Sequence, residues 1–99
     1  LYALDLATGK EKWKVKLGHL KASPSVKDGK VYVGNLDGKF FCVSAADGKE
    51  LWHFETEGEI TSGCNFHGNN VLIGSHDSTL YCLGPDGKFA PDFRVVYLH

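Results

Sequence analysis

Apolar and polar positions alternate from the first residues of the chain, with Tyr2, Leu4 and Leu6 set against Ala3 and Asp5. A two-residue period is the mark of a half-buried strand. Residues 7–10 follow as a turn, in which Gly9 can take positive φ without steric cost. From Lys10 to Leu17 the alternation is strict: Glu11, Trp13, Val15 and Leu17 share one face, and Lys10, Lys12, Lys14 and Lys16 share the other. The pattern then restarts. Residues 22–26 form a short extended piece, whose Pro24 lacks an N–H and suits a strand start. A turn at Asp28-Gly29-Lys30 leads to a strand at 31–34, rich in β-branched and aromatic residues. A hairpin turn at 35–38, a strand at 39–45, a turn at 46–48 and a strand at 49–56 complete the round. A third round extends over 60–66, turns at 68–70, and places strands at 71–74 and 79–83 around a turn at 76–78. After a turn at 85–87, the tail predicts a last strand at 94–98. No segment shows a 3.6-residue period, so no helix longer than one turn is expected. Short strands recurring at roughly ten-residue intervals predict an all-β sandwich, barrel or propeller.

Internal repetition chooses among these. Residues 31–43 (VYVGNLDGKFFCV) align with 71–83 (VLIGSHDSTLYCL) at an offset of 40 residues. Trp13 and Trp52 are 39 apart, as are Gly9, Gly48 and Gly87. The stretch Phe41–Trp52 has an earlier copy at Tyr2–Trp13 and a worn copy beginning at Tyr81. A period near 40 holding four strands is the size of one propeller blade. The expected fold is therefore all-β, with about two and a half four-stranded antiparallel blades of a β-propeller.

Composition narrows the chemistry. Eleven basic and twelve acidic residues leave a net charge of −1, which argues against a nucleic-acid partner or an anionic membrane surface. The lysine stripe at 10–16 reads as an outer edge strand guarded against edge-to-edge pairing, with polyanion binding as the alternative. No apolar run approaches the roughly 20 residues of a membrane-spanning helix, and no signal peptide is visible. Three cysteines, Cys42, Cys64 and Cys82, are too few for a disulfide framework and read as buried free thiols. Cys64 and His67 have a chelating spacing, but a tetrahedral zinc site needs four ligands and no second pair stands at a recognised spacing. Asp37 and Asp77 are equivalent in the repeat, and each suits an Asx-type bond inside its hairpin. No metal site, catalytic pair or phosphate-cradling loop is expected.

The repeat resembles those of the quinoprotein-like (pyrroloquinoline-quinone-type, PQQ-type) β-propellers, whose tryptophan-docking motif reads Ala-x-Asp-x-x-Thr-Gly-x-x-x-Trp. Ala3, Asp5, Thr8, Gly9 and Trp13 match it at every position. In the second copy Gly48 and Trp52 match, while Cys42, Ser44 and Asp47 stand in for Ala, Asp and Thr. The third copy keeps Gly87 and has no Trp. The resemblance covers residues 1–88 and implies that residues 1–17 are strands C and D of one blade, 22–56 a whole blade, and 60–99 a third. It also implies blade-to-blade docking by Ala3, Asp5, Thr8, Gly9, Trp13, Gly48, Trp52 and Gly87. Each indole needs an acceptor for its N–H, which a neighbouring backbone carbonyl can supply, and glycines such as Gly34 and Gly74 are expected to leave room for close approach.

Propellers typically have about four to eight blades, so the chain is expected to be a piece of a longer protein or a partial unit that closes a ring with copies of itself. Expected partners are the remaining blades, copies of itself or other proteins. The functional expectation is a non-catalytic scaffold or protein-interaction platform, with no cofactor, placed by the resemblance in the periplasm or cell envelope. Two alternatives stand beside it. One is a stretch of a quinone-dependent alcohol or sugar dehydrogenase, which would use PQQ with calcium. The other is a sensor propeller fused to another domain.

Overall fold

A computed structural model describes residues 1–4, 8–77, 79–88 and 96–97. Asp5 and most of the tail beyond Lys88 therefore lie outside the described residues. Ten strands are present and no helix occurs among the described residues: β1 (Tyr2–Leu4), β2 (Glu11–Lys14), β3 (Ser25–Lys27), β4 (Lys30–Gly34), β5 (Lys39–Ser44), β6 (Glu50–Glu55), β7 (Asn65–His67), β8 (Asn70–Ser75), β9 (Thr79–Leu83) and β10 (Val96–Tyr97). They form three antiparallel meanders: a two-stranded β1-β2 sheet, a four-stranded β3-β4-β5-β6 sheet and a four-stranded β7-β8-β9-β10 sheet. This is the all-β blade architecture that the 40-residue period predicts.

The second sheet shows why the sequence selects this stack. Its two inner strands read Val31-Tyr32-Val33 and Phe40-Phe41-Cys42-Val43, with no polar residue between. Unbroken apolar runs mark strands covered on both faces, and all seven residues are buried. Val31, Val33, Phe41 and Val43 face the first blade, in one cluster with Leu17 and the partly buried Trp13, Val15 and Leu20. Tyr32, Phe40 and Cys42 face the third, in a second cluster with Ile60, Val71, Ile73 and Leu83. One blade thus supplies half of two cores, and neither core forms without its neighbour.

The turns carry the expected chemistry. In the β3–β4 hairpin Lys27 pairs with Lys30, and the two residues between them, Asp28 and Gly29, both have positive φ, at 52° and 74°. That combination defines the type I′ turn, which an Asp-Gly pair favours. The lysines of β2 and its flanks are exposed on a strand that, among the described residues, pairs only with β1 and so forms an edge.

Candidate functional site at the blade interfaces

Each tryptophan is the third residue of an outer strand, β2 or β6, and leans onto the next blade. Trp13 stands opposite Ala3 across the β1–β2 ladder, and Trp52 stands opposite Cys42 across β5–β6, so the two copies share one register. The Trp13 Nε1–H donates to the Ala45 carbonyl oxygen at 2.8 Å. The Trp52 Nε1–H donates to the Pro85 carbonyl oxygen at 2.9 Å. Each acceptor lies in the turn between the third and fourth strands of the following blade.

The indole rings lie flat on glycines of those same turns. A Cβ placed on Gly48 would sit 2.6 Å from Trp13 Cε3, and one placed on Gly87 would sit 2.5 Å from Trp52 Cδ2. Real Cβ atoms do not approach ring carbons so closely, so only glycine fits under each ring. Both glycines also have positive φ, 76° for Gly48 and 78° for Gly87, a region that costs an L side chain about 1 kcal/mol or more. Gly9 has the same backbone at φ 70°, yet no described atom lies within 4 Å of a Cβ placed there. Thr8, beside it, accepts a hydrogen bond from the Lys10 N–H through Oγ1 at 3.3 Å, which closes the turn locally. Trp52 extends into the second core, tilted against Tyr32 at 6.1 Å and Phe40 at 6.0 Å between ring centroids.

Gly34 and Gly74 do not provide the expected room for indole approach. A Cβ on Gly34 would meet Ile60 Cγ2 at 2.2 Å, so Gly34 makes space for an isoleucine from the next blade, while nothing lies within 4 Å at Gly74. The ring seats are the turn glycines, because the turn between the outer strands is the part of the neighbour that faces the rim.

At the opposite end of the blades, a second set of bonds joins each inter-blade connection to the next hairpin. The Leu36 N–H donates to the His19 carbonyl and the His76 N–H to the Glu59 carbonyl, both at 2.9 Å. These pairs are equivalent at the 40-residue offset. Asn35, only 2% exposed, organises the first hairpin. Its Oδ1 accepts from the Asp37 and Lys39 N–H groups, both at 2.9 Å, and its Nδ2–H donates to the Leu17 carbonyl at 2.7 Å. The role expected of Asp37 is thus performed by Asn35. In the second hairpin Asp77 does behave as expected, taking the Thr79 N–H on Oδ1 at 3.0 Å. Its Oδ2 also accepts the Tyr81 hydroxyl at 2.6 Å and the Glu57 N–H at 3.2 Å. Burial pushes the Asp77 carboxyl up, but these hydrogen bonds together outweigh it and hold it below the usual carboxylate range. Burial and the same bond raise the Tyr81 phenol to about 12. Asn35 was findable in the sequence as the polar residue opening a turn after an apolar run, a place where Asn side chains bond to nearby backbone.

The three cysteines are free thiols, two buried and one half-buried, and burial pushes each of them up. No group of three or more His, Cys, Asp or Glu side chains able to hold a metal occurs among the described residues.

Comparison with known proteins agrees with this architecture. The family model PQQ_2, described as outer membrane protein assembly factor BamB, matches residues 1–88. Outer membrane protein assembly factor BamB of Nitrosomonas eutropha is 30% identical over 86 residues, which cover 84% of this chain and 21% of that protein. Quinoprotein alcohol dehydrogenase PedH of Pseudomonas putida is 31% identical over 86 residues, covering 77% of this chain and 14% of that protein. The crystal structure of BamB from Moraxella catarrhalis superposes with a TM-score of 0.77 at 16% identity, over 90% of this chain and 28% of that one. The chain thus spans about a fifth or less of the curated relatives named here. With a repeat of 40 residues, stacked antiparallel blades and a family model that covers nearly its whole length, the chain belongs to the PQQ-type β-propeller repeat family described as outer membrane protein assembly factor BamB.

Proposed function

We propose that this chain is a stretch of a non-catalytic PQQ-type β-propeller that serves as a scaffold and protein-interaction platform, working in the periplasm or cell envelope. The observation that carries this reading is the use made of the repeat's signature residues. Trp13 and Trp52 spend their rings on Gly48 and Gly87 and their N–H groups on backbone carbonyls of the next blade. In this reading Ala3, Asp5, Thr8, Gly9, Trp13, Gly48, Trp52 and Gly87 are docking residues, with Gly9 a seat of the same kind for a further ring. The partners are other blades, or another copy of the chain, at the open faces, and other proteins at the platform's surface. The assembly-factor relatives support this choice of role and of compartment.

The second reading, a stretch of a quinone-dependent dehydrogenase, is favoured by the likeness to an alcohol dehydrogenase. Calcium takes roughly six to eight oxygen ligands, and the described residues offer no acidic cluster from which to build such a set. Titration with PQQ and calcium of the whole propeller that carries this chain separates the readings. The scaffold reading expects no new absorbance band and no alcohol-dependent reduction of a dye. A saturable band accompanied by alcohol-dependent dye reduction would overturn it.

A further inference from the structure

Between the second and third blades, at the end where the inner hairpins turn, lies a cleft of about 240 Å³. The β3–β4 hairpin contributes Lys27, Asp28 and Lys30, β4 contributes Tyr32, and the β7–β8 hairpin contributes Phe66 and Asn69. Pro85, whose carbonyl holds the Trp52 indole, closes the outer side. The apolar wall is made by two rings packed edge to face, Tyr32 and Phe66, at 5.2 Å and 69°. Lys27 is held in place: its ammonium lies 5.0 Å from the centre of the Phe66 ring and donates to the Gly68 carbonyl across the blade interface. An ammonium has three donors, so this arrangement leaves donors to spare. Lys30 is half-buried at the start of β4. The cleft's lining carries two lysines and one carboxylate, that of Asp28, so the cleft is net positive. Burial raises the Tyr32 phenol to about 12, so the ring adds no negative charge.

These residues are not demanded by the repeat. At the 40-residue offset Lys27, Lys30 and Tyr32 correspond to His67, Asn70 and Leu72. Phe66 corresponds to Val26, which is 67% exposed. The blade folds with either set, so the combination of two lysines and an aromatic wall is particular to this interface.

We propose that this cleft binds a small monoanion with one flat apolar body, a single-ring carboxylate, with its ring against Tyr32 and Phe66 and its carboxylate toward Lys30 and Lys27. The size argues for one ring, because sites for drug-sized ligands run to roughly 300–1,000 Å³. The charge argues for an acid, because an ammonium-to-carboxylate hydrogen bond is stronger than its neutral counterpart.

Phenylacetate, with the neutral phenylacetamide as its isostere, is the probe. Backbone and side-chain amide spectra of the 99-residue chain are expected to show saturable shifts at Phe66 and Asn69 with phenylacetate. Phenylacetamide is expected to bind at least about tenfold more weakly, in line with the loss of a charged hydrogen bond. Lys30→Gln should weaken phenylacetate by a similar factor. Asn69→Asp, which adds repulsion at an exposed turn and removes no packing, should abolish the shifts, while Lys49→Gln on the neighbouring turn should leave them unchanged. Thermal unfolding of each variant checks that it is folded. Absence of saturable shifts, equal binding of acid and amide, or full affinity in a folded Lys30→Gln chain would each overturn the proposal.

Discussion

Gly48 and Gly9 have nearly the same backbone and different surroundings, so they separate two effects at the scale of a single residue. Both have positive φ, 76° and 70°. Alanine at either position pays the left-handed penalty of about 1 kcal/mol. At Gly48 the added carbon would also lie 2.6 Å from the Trp13 ring and must displace it, whereas at Gly9 it meets no described atom. Overpacking of this kind costs about 1–3 kcal/mol more. Gly48→Ala is therefore expected to destabilise the chain by about 2–4 kcal/mol and Gly9→Ala by about 1 kcal/mol. Urea unfolding of the two variants checks the contrast; equal losses would mean that the ring does not depend on the glycine. That the turns end in glycine was plain from the sequence. That a tryptophan 35 residues away lies on each one was not, because nothing local in a turn records which ring lies over it.

Hairpins show the same division at the scale of the element. The strands around residues 35–38 and 75–78 follow from alternation and turn chemistry, and the observed β4–β5 and β8–β9 pairs sit where the pattern places them. Which side chain closes the turn was legible only in part. Asn35 and Ser75 occupy equivalent positions and both reach the preceding connection: Asn35 Nδ2 to the Leu17 carbonyl at 2.7 Å, Ser75 Oγ to the Gly58 carbonyl at 3.1 Å. Asn35 has an amide with both donors and acceptor and satisfies three backbone groups at once. Serine is shorter and leaves part of the work to Asp77. Asn35→Ala is expected to cost about 2–4 kcal/mol, because buried backbone groups lose their partner. Asn35→Ser, which copies the second hairpin, should recover part of that loss. Hydrogen exchange at the Asp37 and Lys39 amides provides the reading: both should lose protection in Asn35→Ala and regain part of it in Asn35→Ser. Unchanged protection in the alanine variant would show that Asn35 does not hold the turn.

Across the whole molecule, blade faces decide behaviour. Ile60, in the connection that leads into the third blade, fills the space over Gly34, where a Cβ would come within 2.2 Å, and the equivalent place over Gly74 has no described atom within 4 Å. Leu72 and Leu80, equivalent to Tyr32 and Phe40, are only half-buried, whereas Tyr32 and Phe40 are 6% and 1% exposed. An apolar blade face without a neighbour tends to find one. The 99-residue chain on its own is expected to self-associate as concentration rises, and Leu72→Glu should weaken the association. Sedimentation velocity over a concentration series tests this. A chain that stays monomeric throughout, or a glutamate variant that associates equally well, would show that this face does not recruit a partner.

The sequence alone determined the period, the strand-and-turn order, the need for several blades and the identity of the indole and glycine positions. Each of these is set by local chemistry: alternation, positive-φ turns, and repetition at a fixed offset. Only the tertiary structure decided which ring meets which glycine, that Asn35 and not Asp37 closes its hairpin, that Gly34 admits an isoleucine, and that two lysines and two rings converge on one cleft. Those facts depend on how one blade is placed against the next. That placement is a sum over two buried faces and their hydrogen bonds, and no single stretch of chain carries it.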